Sequence, residues 1–208
     1  FEHYLFSGPD RDLARRYLTV CHDICHSGVM FESQTEVLER YRHAGMRIGK
    51  VQVSSAVHVP WDNCIGNPER QAALAEQLRS LDEPKYLHQT TEQSGAGGLK
   101  WLQADLPTAL QRYLSADSYP SQPWRVHFHV PIFVDQFGEL QTTQVDIAEA
   151  TRYLQQHQCD SVAGSTWFTG HYEVETYAWP VLPPELAEED LAAGIARELQ
   201  YFQSILVA

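Results

Sequence analysis

The chain has 208 residues, of which 43% are apolar, and a formal net charge of -12 at pH 7. This length and apolar content are sufficient for a single hydrophobic core. An acidic balance of this size repels phosphate backbones and disfavours nucleic acid as a partner. No apolar run approaches the length of a membrane span, and the first residues do not read as a signal peptide, so we expect a cytoplasmic protein.

Hydrophobic periodicity predicts strands and helices that alternate along the chain, which is typical of parallel βαβ units. Helix 33–44 ends before Gly45 as a C-cap, and the last helix follows Pro183 and Pro184. The predicted elements are strand 17–23, helix 33–44, strand 47–54, helix 67–82, strand 85–91, helix 105–115, strand 125–133, helix 142–157, strand 171–177 and helix 186–206.

The first strand ends in Asp-x-x-His, formed by Asp23 and His26. A buried strand at the rim of an α/β barrel can hold such a carboxylate and imidazole so that both converge on one ion. Alternatively, Asp23 caps a helix and His26 lies at the surface. Near the end of the chain, Glu173 and Glu175 share one face of strand 171–177, and Glu175 is nearer its carboxyl end.

Two histidines also share a strand face. His127 and His129 alternate along strand 125–133, a spacing that suits two metal ligands or one ligand and one substrate donor. Gln52 stands on the polar face of strand 47–54. These polar side chains are predicted to point toward a common place.

The four cysteines are too few and too irregularly spaced for a disulfide framework. Reduced thiols are therefore the expectation. The cluster of Cys21, His22, Cys25 and His26 invites a zinc interpretation, but such sites usually need a second pair at matching spacing, which the sequence does not offer.

Five motifs in this order resemble the metabolite-traffic EboE family of the xylose-isomerase-like TIM-barrel superfamily. They span most of the chain, and their combination is more specific than any single motif. They are Val-Cys-x-Asp-x-Cys-His at 20–26, Gly-Lys-Val-Gln-x-Ser-Ser at 49–55, Tyr-Leu-His-Gln at 86–89, Val-His-Phe-His-Val-Pro at 126–131 and Val-Glu-Thr-Tyr at 174–177.

The resemblance implies an α/β fold of the (β/α)8 TIM-barrel type. Such a barrel usually needs about 250 residues, so we expect residues 1–208 to be its C-terminal half, a single domain. Residues 55–124, rich in turn residues, are interpreted as an inserted lid region over the catalytic face. The expected partners are a small metabolite and either the missing N-terminal half of the barrel or a second copy of the chain.

The implied function is a metal-dependent isomerase or epimerase of a sugar-like or polyol metabolite, which transfers a proton beside a metal-bound carbonyl. The alternative is a non-catalytic metabolite-binding or traffic protein with a degenerate metal site, because Gln52 stands where sugar isomerases carry a histidine. A divalent ion (Mn, Zn or Mg) is the expected cofactor. The implied roles are metal binding for Asp23, His129 and Glu175, catalysis for Glu175, and substrate binding for His26, Gln52, His88 and His127.

Overall fold

The structure is a computed structural model that describes residues 4, 6–114, 118–162, 164–176, 178–184, 186–187 and 190–207. The helices of these residues are α1 (Arg11–Tyr17), α2 (Ile24–Val29), α3 (Gln34–His43), α4 (Pro68–Arg79), α5 (Leu106–Tyr113), α6 (Gln144–Gln156) and α7 (Leu191–Leu206). The strands are β1 (Val20–Asp23), β2 (Ile48–Val53), β3 (Ser55–Val59), β4 (Thr90–Gln93), β5 (Leu99–Gln103), β6 (Trp124–Val130), β7 (Gln136–Phe137), β8 (Leu140–Thr142), β9 (Ser161–Val162), β10 (Ser165–Thr166) and β11 (Tyr172–Val174).

The strands form three separate sheets. A three-stranded parallel sheet has the order β1-β2-β11, and a six-stranded antiparallel sheet has the order β5-β4-β6-β3-β8-β7. Strands β9 and β10 form a small antiparallel pair. No sheet of the described residues closes into a barrel, so the prediction of half a (β/α)8 TIM barrel is wrong.

Short connections explain why the barrel does not form. The turn between β4 and β5 is closed by Gly97 and Gly98, both at positive φ, and Gly138 turns the chain between β7 and β8 at φ 54°. A barrel needs parallel strands joined by helical crossovers, whereas such tight turns join only antiparallel neighbours. Residues 55–124, interpreted from sequence as an insertion, supply β3, α4, β4, β5, α5 and the first residue of β6.

The predicted βαβ pattern is present in the parallel sheet. Strand β1 pairs with β2 from Val20 to Asp23, and β11 pairs with the other edge of β2 from Tyr172 to Val174. The carboxyl ends of the three strands therefore meet at one edge. Residues 85–89 of the predicted strand 85–91 are not a strand, since β4 begins at Thr90.

Side-chain caps fix where several helices begin. The Ser33 hydroxyl accepts from the Glu36 amide at 3.3 Å before α3, and the Asn67 side chain accepts from the Arg70 amide at 3.1 Å before α4. Asp190 caps α7 in the same way, at 2.9 Å. Each cap satisfies one of the amide groups that a helix start leaves without a partner inside the helix.

The chain passes from the parallel to the antiparallel sheet at a single residue, Ser54, between β2 and β3. One apolar core covers the antiparallel sheet and includes Trp61, Trp124 and Leu78. A second core surrounds the parallel sheet. Helix α2 lies between the sheets and buries Cys25 and Val29. Among the described residues no helix is both long and apolar enough to cross a membrane.

Candidate functional site

The carboxyl ends of the three parallel strands bring together three of the residues that the sequence singled out. Asp23 is the last residue of β1, and its register partner in β2 is Gln52. Glu175 directly follows β11, where its amide donates to the Val53 carbonyl at 3.1 Å. The Gln52 side-chain amide donates to the Glu175 carboxylate. Backbone pairing thus positions a rim of carboxylate and amide groups.

Asp23 and His26 form a tight pair at the start of α2. The Asp23 carboxylate accepts from the His26 backbone amide at 3.1 Å and lies 2.5 Å from the Nδ1 atom of its ring. The interpretation of Asp23 as a helix cap is therefore confirmed, whereas the binding of one ion by Asp23 and His26 stays a prediction. The Asp23 side chain is 13% exposed and that of His26 is 60% exposed, so the His26 imidazole lies at the solvent-exposed side of the site.

The pairing sets the protonation of both groups. The hydrogen bond to Asp23 raises the pKa of His26 above its ordinary value, against the opposing effect of burial. Burial raises the pKa of Asp23, but the hydrogen bonds from His26 outweigh it and leave the pKa below the ordinary value. The pair thus combines a charged carboxylate with an imidazole that holds its proton more strongly than usual.

His127 and His129 lie on the face of β6 that packs against α2. The other face of this strand turns Val126 and Phe128 into the core of the antiparallel sheet. The two Nε2 atoms are 3.1 Å apart, and the His127 ring lies 4.4 Å from the His26 ring, centroid to centroid. Burial, reinforced by neighbouring histidines, lowers the pKa of His127 to about 4 and that of His129 to about 3. Both rings are therefore neutral at pH 7.

Glu175 completes this polar cluster. Its side chain is 17% exposed, and its Oε2 atom lies 3.7 Å from Nδ1 of His129. Burial, together with the nearby charge of Asp23, raises the pKa of Glu175 above its ordinary value. Glu173, two residues earlier, instead pairs with Lys50, and its side chain is half exposed.

Cys25 is a candidate site residue that sequence reasoning did not select. Its Sγ atom and one ring nitrogen each of His127 and His129 lie within 4.8 Å of one another. Among the described residues this is the one group of at least three His, Cys, Asp or Glu with donors so close, and it does not include Asp23 or Glu175. Burial raises the pKa of the Cys25 thiol well above its ordinary value.

The zinc cluster considered from the sequence does not assemble. His22 is buried and its Nε2 atom lies 2.9 Å from the Gln34 side-chain oxygen. Cys21 is exposed and its thiol donates to Gln52 at 3.0 Å. Alternation along β1 separates these two side chains, since successive strand residues point to opposite faces.

His88 contacts the site through the backbone of β6. Its Nδ1 atom lies 3.1 Å from the carbonyl oxygen of His127, and its Nε2 atom lies 3.0 Å from the Glu83 carboxylate. Both ring nitrogens of His88 already have protein partners. Its direct contacts support the strand that carries His127.

Two small cavities flank His129. One is bordered by Glu175 and Glu198, the other by His88 and His127, and Ala178 borders both. Each holds about 10 Å³, which is the space of about one water molecule. The buried histidines therefore have room beside them for water but not for a large ligand.

Comparisons with protein-family models, curated proteins and solved structures found no match to this chain. The resemblance to the EboE family consequently stays a prediction, as do the residue roles derived from it. The site must be interpreted from its own geometry.

Proposed function

We propose that this protein is an enzyme that moves a proton on a small metabolite carrying hydroxyl and carbonyl groups, as isomerases and epimerases do. The observation that carries this proposal is that Glu175 and His26, both with a raised pKa, share the rim at the ends of the parallel strands. Each group's charge shifts the pKa of the other, which is the expected behaviour of neighbours in one site. Perturbed acids and bases of this kind cluster at catalytic sites.

The two groups suit opposite halves of a proton transfer. Glu175, made more basic by burial, removes the proton from the carbon beside the substrate carbonyl. The electron pair of that C–H bond forms an enol double bond, and the carbonyl oxygen takes a proton from His26. Asp23 stabilises the protonated imidazole and orients its ring. Epimerisation follows when a proton returns to the opposite face of the same carbon and the enol hydroxyl gives its proton back to His26. Isomerisation follows when the proton returns to the former carbonyl carbon and the neighbouring hydroxyl gives its proton to His26.

The charge of the rim favours an uncharged substrate. Asp23, Glu173 and Glu175 carry carboxylates, whereas the nearby Lys50 is already paired with Glu173. A phosphate or carboxylate on the substrate would be repelled by these groups. A neutral polyhydroxy carbonyl compound, such as a ketose, can instead donate hydrogen bonds to the carboxylates of the rim.

Solvent hydrogen exchange tests this proposal. The protein is incubated in D₂O with a panel of small ketoses and hydroxyketones, and proton NMR follows the C–H signals beside each carbonyl. We expect exchange with at least one compound, abolished in Glu175→Gln and at least about 100-fold slower in His26→Asn, the range that a positioned acid or base contributes. Glu173→Gln is the matched control on the same strand, and it should exchange at the wild-type rate.

The alternative of a metabolite-binding protein predicts a different outcome. A compound that binds the wild-type protein, and binds more weakly to Glu175→Gln, but never exchanges its C–H protons would overturn the enzyme proposal. Equal exchange by Glu175→Gln and Glu173→Gln would also contradict it.

A further inference from the structure

We propose that Cys25, His127 and His129 bind a transition-metal ion of the zinc type. Their donor atoms come from two elements, α2 and β6, yet they lie within 4.8 Å of one another. Cys25 is fully buried and its sulfur is not in a disulfide, and only 5% of His129 is exposed. The fold of the two sheets around α2 therefore holds the three donors together.

The spacing of the two histidine nitrogens is close to that of ligands bound to one ion. Zinc binds imidazole nitrogen at about 2.0–2.1 Å in tetrahedral geometry, which places two such nitrogens about 3.3 Å apart. The Nε2 atoms of His127 and His129 are 3.1 Å apart. Only small side-chain adjustments would be needed for both to bind the same ion through these atoms.

The chemistry of the donors indicates the class of metal. One thiolate and two imidazoles favour zinc and similar borderline-soft ions, whereas magnesium and calcium prefer oxygen ligands. This ligand set shares His129 with the oxygen-rich set of Asp23, His129 and Glu175 that the resemblance implies, but its other two ligands differ. When the ion binds, the Cys25 thiol loses its proton to solvent. The ligands of the ion are then one thiolate and two neutral imidazole rings.

The surroundings resemble those of a metal ligand in two further respects. The Nδ1 side of His129 faces Glu175 at 3.7 Å, and a carboxylate behind a metal-bound histidine orients the ring and increases its basicity. His127 and His129 also border a cavity with the space of about one water molecule. Three protein ligands and a water are the arrangement of catalytic rather than structural zinc sites.

Cobalt titration of the 208-residue protein tests this inference. The reduced, metal-free protein is titrated with Co²⁺, and absorbance spectroscopy follows the thiolate-to-cobalt charge-transfer band. We expect one equivalent to bind with this band, and Zn²⁺ to displace it. Cys25→Ser should abolish the band, and His129→Asn should weaken binding by more than the roughly 10–100-fold that loss of an outer partner costs.

Matched variants separate this site from its alternatives. Cys64→Ser changes another buried cysteine, in the core of the antiparallel sheet, and should keep the band. Asp23→Asn should bind cobalt like the wild type, whereas the oxygen-rich ligand set predicts loss of binding. Circular dichroism checks that Cys25→Ser and His129→Asn are folded.

Three results would overturn the inference. These are absence of cobalt binding, binding without a charge-transfer band, and a band that survives in a folded Cys25→Ser variant. The cobalt spectrum does not depend on turnover. It therefore tests the metal site independently of the proposed proton transfer. A cobalt band without solvent exchange would refute only the enzyme, and exchange without a band would refute only the metal site.

Discussion

The buried neutral histidines of β6 should make the metal-free protein sensitive to acid. In the unfolded chain each imidazole takes up a proton near its ordinary pKa of 6.5, whereas in the folded protein the pKa of His127 is about 4 and that of His129 about 3. Below pH 6.5 the unfolded state therefore binds more protons than the folded state. Stability falls as the pH falls, because each proton favours the unfolded chain.

The magnitude follows from these values. Between pH 7.5 and pH 5, a group whose pKa falls from 6.5 to 4 or lower on folding reduces the free energy of unfolding by about 2 kcal/mol. The two histidines together should reduce it by about 4 kcal/mol, a large part of the 5–15 kcal/mol that is typical of a domain. The variants His127→Asn and His129→Asn should each remove about half of this loss.

Urea unfolding at pH 7.5 and pH 5, in the presence of a chelator, measures this effect. The chelator is needed because a bound metal would keep both rings unprotonated. His171→Asn changes an exposed histidine and serves as the control. Equal wild-type stability at both pH values would contradict this prediction. So would an equal loss of stability at pH 5 in the variant that combines His127→Asn and His129→Asn.

Three further predictions concern packing, capping and charge. Gly194→Ala should destabilise the protein by about 1–3 kcal/mol in urea unfolding, because a Cβ atom there would lie 2.1 Å from the Trp179 ring; wild-type stability would refute this close packing. Asn67→Ala should cost about 1 kcal/mol through loss of the α4 cap, and an unchanged urea midpoint would contradict it. Arg125→Met should reduce the free energy of unfolding by about 3 kcal/mol and lower the thermal midpoint, because it leaves the Asp146 carboxylate buried without its cation. The variant that combines Arg125→Met with Asp146→Asn should recover part of that loss.

The convergence of Asp23, Gln52 and Glu175 could be anticipated from the sequence. Each lies within two residues of the carboxyl end of its strand, and strands separated by helices tend to pair in parallel. Their polar ends then meet at one edge of the sheet. This local pattern is independent of whether the sheet closes into a barrel.

Strand pairing in the remainder of the chain could not be predicted. Alternation of strands and helices does not specify which strands become neighbours, and β3 follows β2 after Ser54 alone to enter a different sheet. The proximity of Cys25 to His127 and His129 depends on how α2 packs between these sheets. A contact between residues a hundred positions apart has no local signal in one sequence.

One site combines the exposed His26 imidazole, whose pKa is raised, with the buried imidazoles of His127 and His129, whose pKa values are lowered. NMR titration of the histidine rings in the metal-free protein tests this most directly. We expect His26 to titrate above the ordinary value of 6.5 and to shift downward in Asp23→Asn, while His127 and His129 stay neutral at pH 5. Uptake of protons by His127 and His129 above pH 6, with a His26 that does not respond to Asp23→Asn, would contradict the account.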